Sequence, residues 1–353
     1  MLNNKRLFLD VHAIQTVPPS NINRDDTGSP KTAQYGGVTR ARVSSQSWKK
    51  AIRQYFLEYG DLGNVGVRSL EIVRYVADKI VKLDESIDLD EAMNLAEKVI
   101  KDAGITTTKE RKTRALFFIS SVQAEKLAKA AIEGDVKKAE IQKLLKEDPA
   151  IDIALFGRMV ADDPNLNEDA SSQFAHAIST HGVQTEFDFF TATDDFSSAT
   201  DAGAGMLGTV EYNSSTLYRY ANVAVHEFSK QIADKPSIIN ALKLFIEAFT
   251  KSMPTGKINT FANQTLPQAL LITLRSDRPV SLVTAFERPI RSNEGYVEKS
   301  IQRLEKEYQS VQQWLDAPLY SYSLGMPNLA DNQASLSALL EKLEETLDSL
   351  LDS

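Results

Sequence analysis

Val38-Thr39-Arg40-Ala41-Arg42-Val43-Ser44-Ser45-Gln46-Ser47-Trp48-Lys49-Lys50-Ala51-Ile52-Arg53-Gln54-Tyr55-Phe56 changes its hydrophobic period halfway along. From Val38 to Val43 the residues alternate. Thr39, Ala41 and Val43 fall on one face and Arg40 and Arg42 on the other, as the two-residue repeat of a strand requires. From Trp48 the spacing is helical. Trp48, Ile52, Tyr55 and Phe56 form one apolar stripe, and Ser45 or Ser47 can cap the helix start. Lys49, Lys50 and Arg53 lie outside that stripe.

Upstream, Leu7 to Gln15 is rich in apolar residues and reads as a buried strand ended by Pro18-Pro19. Thr16 to Gly37 is dominated by Pro, Asn, Asp, Ser and Gly, so it reads as one long loop, a length usually kept for function. Downstream, residues 66 to about 180 read as helical throughout, including the run from Thr113 to Gly134. This block lies between strand-like segments and is expected to be a helical insertion into an α+β domain. Strands return near Glu186–Thr193 and Val210–Val225, joined by an acidic, glycine-rich hairpin tip. A helix capped around Lys235-Pro236-Ser237 follows, then strands at Leu270–Leu274 and Val280–Phe286. Amphipathic acidic helices at Tyr296–Leu315 and Leu336–Leu351 end the chain.

The chain has 353 residues, 42% hydrophobic and 25% charged, an ordinary globular composition. No stretch approaches the roughly 20 apolar residues of a membrane helix, and the first apolar run is broken by Asp10, too early for a signal peptide. A cytoplasmic location is expected. The absence of cysteine excludes disulfides, thiolate metal sites and cysteine nucleophiles. The net charge of −8 is unusual for a nucleic-acid binder, but its distribution is uneven. Residues 1–60 hold nine Lys/Arg against four Asp/Glu; residues 296–353 hold four against ten. A basic working surface on an acidic body fits that asymmetry, as does head-to-tail stacking of copies.

Catalytic patterns are missing. The four histidines His12, His176, His181 and His226 do not form HExxH, and each reads as structural. There is no GxSxG and no P-loop, and the GAG at 203–205 lacks a dinucleotide-site setting. Asp25-Asp26 and Asp194-Asp195 are paired carboxylates that turn and cap roles explain as well as metal binding does. No cofactor or metal is expected. Anion binding is better supported. Arg24, Lys31, Arg40, Arg42, Lys49, Lys50 and Arg53 fall within about thirty residues, distributed over a loop, a strand face and the start of a helix. Ser44, Ser45, Gln46 and Ser47 add neutral donors there. Cations, hydroxyls and a helix N-terminus together suit a phosphate backbone followed without reading bases. Phe187-Asp188-Phe189-Phe190-Thr191 can stack on bases or pack as a core strand. Lys126, Lys129, Lys137, Lys138, Lys143 and Lys146 are interleaved with Glu125, Glu133, Glu140 and Glu147, which suits a solvated salt-bridged face.

Several segments, in order, resemble the CasC family of backbone subunits in type I-E CRISPR Cascade surveillance complexes. They are Leu9-Asp10-Val11-His12, Asn23-Arg24-Asp25-Asp26, Tyr35-Gly36-Gly37, Arg42 through Ala51, Asp152 through Met159, Ala175 through His181, Phe189 through Ala192, and Tyr218 through Asn222. The resemblance spans about residues 7–225 and weakens beyond 230, where Pro254 through Lys257 and Ala285-Phe286-Glu287 carry it. It implies a hand-like architecture. A modified RRM, or ferredoxin-like, palm would use residues 1–65, 181–192 and 213–353, with helical fingers at 66–180 and a β-hairpin thumb at 193–212. Copies would stack head to tail along a CRISPR RNA and present it in segments for pairing with target DNA. The other Cascade subunits would be partners: large, small, guide-5′-end and guide-processing. By resemblance, Arg24, Lys31, Ser44, Gln46, Lys49 and Arg53 would hold guide phosphates and sugars. Met159, Phe190 and Thr191 would pack around a kinked nucleotide. Phe189 stands where the family often has a larger aromatic. Lys137 and Lys138 would face incoming duplex DNA. The chain would not be an enzyme. The alternative is a guide-bound, metal-dependent ribonuclease like type III backbone subunits, with Asp25 or Asp26 as the loop carboxylate.

Overall fold

The structure is a computed structural model that describes residues 6–60, 65–192, 206–232, 234–329 and 331–352. Its centre is the strand Phe8–Ser20, almost wholly buried and paired on both sides. One neighbour is Ala269–Arg275, in antiparallel register Phe8↔Arg275 through Ile14↔Ala269. The other is the 19-residue strand Met206–Ala224, in register Phe8↔Ala224 onward. Beyond that long strand come Ala177–Ser179, Val38–Val43 and Thr32–Tyr35; beyond Ala269–Arg275 come Tyr320–Leu324 and Asn332–Gln333. Ser172–Phe174 and Glu186–Ala192 also pair with the long strand, giving ten strands in one mostly antiparallel sheet.

Followed along the chain, the central elements are strand 8–20, helix Ser45–Tyr59, strands 172–179, strand 206–224, helix Lys235–Lys251 and strand 269–275. In space these strands lie in the order fourth, first, third, second. That is the ferredoxin-like βαββαβ arrangement, and the expected α+β fold stands. One face of the sheet packs on helices Ser45–Tyr59, Lys235–Lys251 and Leu336–Asp352 through Ile52, Phe56, Leu242, Phe245 and Leu343. The other face is roofed by the 3₁₀ turn Val283–Phe286 and helix Val297–Val311, through Leu282, Phe286 and Leu304 over Tyr218 and Tyr220.

Between helix Ser45–Tyr59 and strand Ser172–Phe174 the chain forms a separate packed unit with its own core of Ile72, Val76, Ile80, Ala96, Ile100 and Leu127. It holds helices Ile72–Leu83, Leu89–Asp102, Ser121–Glu133 and Lys138–Lys146, while helix Ile151–Phe156, which follows, packs into the main core through Ile151, Ala154 and Leu155. It is not all helix. Phe117–Ile119 is a strand paired with Val67–Ser69. The helix that was expected to run through it begins only at Ser121, where Ser120 and Gln123 form a reciprocal capping box. Ser172–Phe174 and Ala177–Ser179, read from sequence as part of the helical block, are strands of the main sheet.

Three more expectations change. The first strand runs through Pro18-Pro19 to Ser20, because pairing with Ala269–Arg275 stops at Ile14 and the register shifts between Val17 and Ser20. Prolines there remove no ladder hydrogen bond. The supposed loop after it contains a hairpin: Thr32–Tyr35 pairs with Val38–Val43 around Gly36 and Gly37, both at positive φ as a tight two-residue turn demands. Val280–Phe286 is no strand, since Val280 N–H donates to the Asp10 carboxylate and Leu282 N–H to the Tyr218 hydroxyl. Among the described residues, no helix is long and apolar enough to cross a membrane.

Candidate nucleic-acid interface

Helix Ser45–Tyr59 is capped by Ser44, whose hydroxyl accepts from Ser47 N–H; the cap is thus neither Ser45 nor Ser47, the two expected. Ser44 N–H in turn donates to the Asn23 side chain. Asn23 O also accepts from Lys31 N–H, and Lys31 O accepts from Arg42 N–H. This chain of bonds gathers the predicted residues Lys31, Arg42 and Ser44 at one edge, next to Arg24. Arg42 donates through Nε to Thr32 O and contacts His176 Nδ1 at 3.1 Å. Burial, together with Arg42 and Lys31 nearby, pulls the His176 pKa below its ordinary value.

Trp48, Ile52 and Phe56 bury the inner stripe of the helix, which turns Gln46, Lys49, Lys50 and Arg53 toward a groove of about 700 Å³. The Lys49 ammonium lies 5.7 Å from the Phe156 ring centroid and 5.6 Å from that of Phe174. Burial lowers its pKa. Met159, 86% exposed, lines the same groove from the insertion. Its position follows from its neighbours. Gly157 turns the chain at φ +77°, where a Cβ would strike Glu168 O. Arg158 then points inward, donating to Leu166 O, Phe118 O and Leu145 O. Met159 is left outward. Arg68 lines this groove as well; no periodicity or motif in the sequence marks it out. A larger cleft of about 1800 Å³ on the other flank of the helix meets Arg24, Lys50, Lys251 and Lys257, but also Asp25, Asp26, Glu58 and Glu247. Its charge is balanced, whereas the smaller groove sets Lys49, Lys50, Arg53, Arg68 and Arg158 against Glu168 and Asp169, so the smaller groove is the better anion site.

Arg40 must be removed from the basic surface. It is fully buried beneath the Val283–Phe286 turn and donates to the carbonyls of Tyr35, Ser179, Phe286 and Glu287. It fastens the roof to the sheet and cannot reach a phosphate. Arg53 is half committed: Nε donates to the buried Asp152 carboxylate at 2.9 Å, and the guanidinium lies 4.3 Å from the Phe118 ring centroid. Asp25 is occupied too, its Oδ1 accepting from Thr27 N–H, Thr27 hydroxyl and Ser29 N–H, which lowers its pKa. Among the described residues, no three His, Asp or Glu side chains could share a metal ion.

Phe189, Phe190 and Thr191 line neither cleft. They belong to strand Glu186–Ala192, exposed along its whole length and, among the described residues, paired only with the long strand. Cross-strand register places Phe187, Phe189, Thr191 and Leu207 on one face of this hairpin and Phe190 and Val210 on the other. The expected tip, with Asp194, Asp195, Asp201 and the glycines at 203–205, lies outside the described residues. Lys137 and Lys138 are far along the insertion. Lys138 pairs with Asp163 at 3.0 Å, while Lys137 is exposed at the N-cap of its helix. Much of the remaining lysine surface is ion-paired, as in Lys126 with Glu147 and Asp148.

The ferredoxin-like sheet with its packed insertion and exposed hairpin recurs in solved structures. The fold matches a chain of a solved "CRISPR RNA-guided surveillance complex, pre-nicking" with a TM-score of 0.85 and 33% identity, covering 96% of this chain and 100% of that one. A second "CRISPR RNA-guided surveillance complex" matches with a TM-score of 0.71 and 28% identity, covering 97% and 99%. The chain belongs to the CT1975-like protein family, whose sequence pattern matches residues 9–353. No curated protein matches it.

Proposed function

We propose that this chain is the RNA-binding backbone subunit of a type I-E Cascade, the CasC role, and has no catalytic step of its own. The observation that carries the proposal is the groove beside helix Ser45–Tyr59, where Gln46, Lys49, Lys50 and Arg53 face Met159 across about 700 Å³. Phosphate contacts of this kind fix register without reading sequence, which leaves the bases for pairing with target DNA. Lys31, Arg42 and Arg24 extend the cationic edge toward the next nucleotides. In this reading the sheet is the palm, the packed insertion the fingers, and the hairpin of Glu186–Ala192 with Met206–Ala224 the thumb. Phe189, Phe190 and Thr191 lie on a strand exposed along its whole length and paired with the long strand, which suits a thumb that closes on RNA held by an adjacent copy. Copies stack head to tail in the cytoplasm, together with the large, small, guide-5′-end and guide-processing subunits. Lys137 and Lys138 remain candidates for contact with target duplex.

The test is to express the chain with the neighbouring subunits, with and without a CRISPR array, then size the product and extract nucleic acid. A large particle carrying one discrete RNA, absent without the array, supports the proposal. A monomer free of RNA in both cases defeats it. Metal-dependent cutting of complementary RNA by the particle would instead favour a ribonuclease using Asp25 or Asp26.

A further inference from the structure

The buried carboxylate of Asp152 sits where the insertion leaves and rejoins the palm. Its Oδ2 accepts from Arg53 Nε at 2.9 Å, on the palm helix. Its Oδ1 accepts from Gly66 N–H at 2.8 Å, at the entry to the insertion, while Asp152 itself lies on the exit helix Ile151–Phe156. Arg53 also donates through Nη2 to Gly66 O at 3.3 Å. Gly66 has no room for a side chain: a Cβ would meet the Phe118 ring at 2.5 Å and Asp152 Oδ1 at 3.1 Å. Two residues on, Arg68 pairs directly across the two-stranded sheet with Phe118, so both side chains share a face. Phe118 thus shares its face with Arg68, and the Arg53 guanidinium lies 4.3 Å from its ring centroid.

The two arginines differ. Two donors of Arg53 are held, Nε by the Asp152 carboxylate and Nη2 by Gly66 O, and the carboxylate offsets its charge. Arg68 is exposed, and among the described residues its guanidinium has no hydrogen-bond or ion-pair partner. Both line the groove. We propose that Arg53 and Arg68 form a phosphodiester clamp across the junction of palm and insertion, with Asp152 as the positioning residue that sets their separation. The clamp rests on the backbone-subunit reading and adds to it a contact from the insertion side. A backbone phosphate between two guanidiniums accepts charge-assisted hydrogen bonds from both, and the carboxylate fixes one fork before RNA arrives.

The probe is a fluorescein-labelled uridine oligoribonucleotide, titrated into the purified chain at several salt concentrations. Arg68→Ala should fold normally and weaken binding. It should also make the dependence of log affinity on log salt shallower by about 0.7, the loss of one single-strand phosphate contact. Asp152→Asn should flatten the same slope, and should have no further effect once Arg53 is Met. Should wild type bind no RNA here and carry none from the array co-expression, the backbone reading falls and the clamp with it. Should wild type bind while Arg68→Ala keeps both affinity and slope, the clamp alone is overturned. Should Asp152→Asn lower the melting temperature but leave the slope intact, Asp152 is structural and its positioning role is overturned.

Discussion

The ring of Phe190 lies directly over the backbone of Gly208, its cross-strand partner: a Cβ on Gly208 would meet Phe190 Cζ at 2.3 Å. Glycine leaves a slot in an otherwise two-sided hairpin, and the ring fills it while remaining 39% exposed. The slot sets where the aromatic points. Gly208→Ala should tip the ring out yet shift the thermal midpoint by no more than about 2 °C, since strand Glu186–Ala192 is exposed along its whole length. Phe190→Ala should behave likewise. In the assembled particle, both should blur any regular pattern of guide 2′-hydroxyl reactivity. An unchanged pattern, or a large loss of melting temperature, would show that Phe190 serves the fold and not the guide.

Charge reversal at the groove separates two kinds of cation. Lys49→Glu with Lys50→Glu should abolish guide retention while circular dichroism and melting stay near wild type. Arg53→Glu places a second carboxylate against the buried Asp152, and burial already raises the Asp152 pKa. That variant should lose both RNA and stability, so it is the poorer probe. Normal RNA recovery with the double lysine variant would move the track elsewhere.

Arg40 is the opposite case. Removing its side chain strands buried carbonyls of Tyr35, Ser179, Phe286 and Glu287. Arg40→Ala should therefore cost about 3 kcal/mol or more, read as a lower denaturant midpoint. A loss under about 1 kcal/mol would mean that the roof is held mainly by Tyr218 and Asp10.

These cases mark what a sequence can disclose. The switch from period two to period 3.6 across residues 38–56 shows the strand and helix because one face of each is buried, and burial writes itself into spacing. Arg40 and Arg42 read alike because alternation states which face a residue takes, not what covers that face. The cover is the Val283–Phe286 turn, more than two hundred residues away. Pro18-Pro19 read as a stop because sequence does not disclose that the neighbouring strand has already ended at Ile14. The Phe117–Ile119 strand was hidden by brevity, although Ser120 and Gln123 stood at capping-box spacing and could have placed the helix start. Gln46, Lys49, Lys50 and Met159 were legible as site candidates and are brought to one groove. Arg68 and Asp152 were not, since a lone charge acquires its role from neighbours distant in sequence.

The buried pair Asp10 and His12 titrates in opposite senses. Desolvation raises Asp10 to about 7, against hydrogen bonds from Tyr220 and Val280 and the charge of Arg275. Desolvation lowers His12 to about 3. A raised Asp holds its proton in the fold after the unfolded chain has lost it, so its contribution is full below about pH 4 and is lost as pH rises toward 7. A depressed His does the reverse: its contribution is full above about pH 6.5 and is lost as pH falls toward 3. Between about pH 4 and 6.5 the two slopes oppose each other and largely cancel. Asp10→Asn removes one of them. Relative to wild type, its stability should improve by about 1.4 kcal/mol per pH unit across that window, read from denaturant unfolding at pH 4.5, 5.5 and 6.5. A difference that stays constant with pH would mean that Asp10 titrates alike in the folded and unfolded chain. The roof that Val280 anchors on Asp10 would then be held equally well by the charged carboxylate.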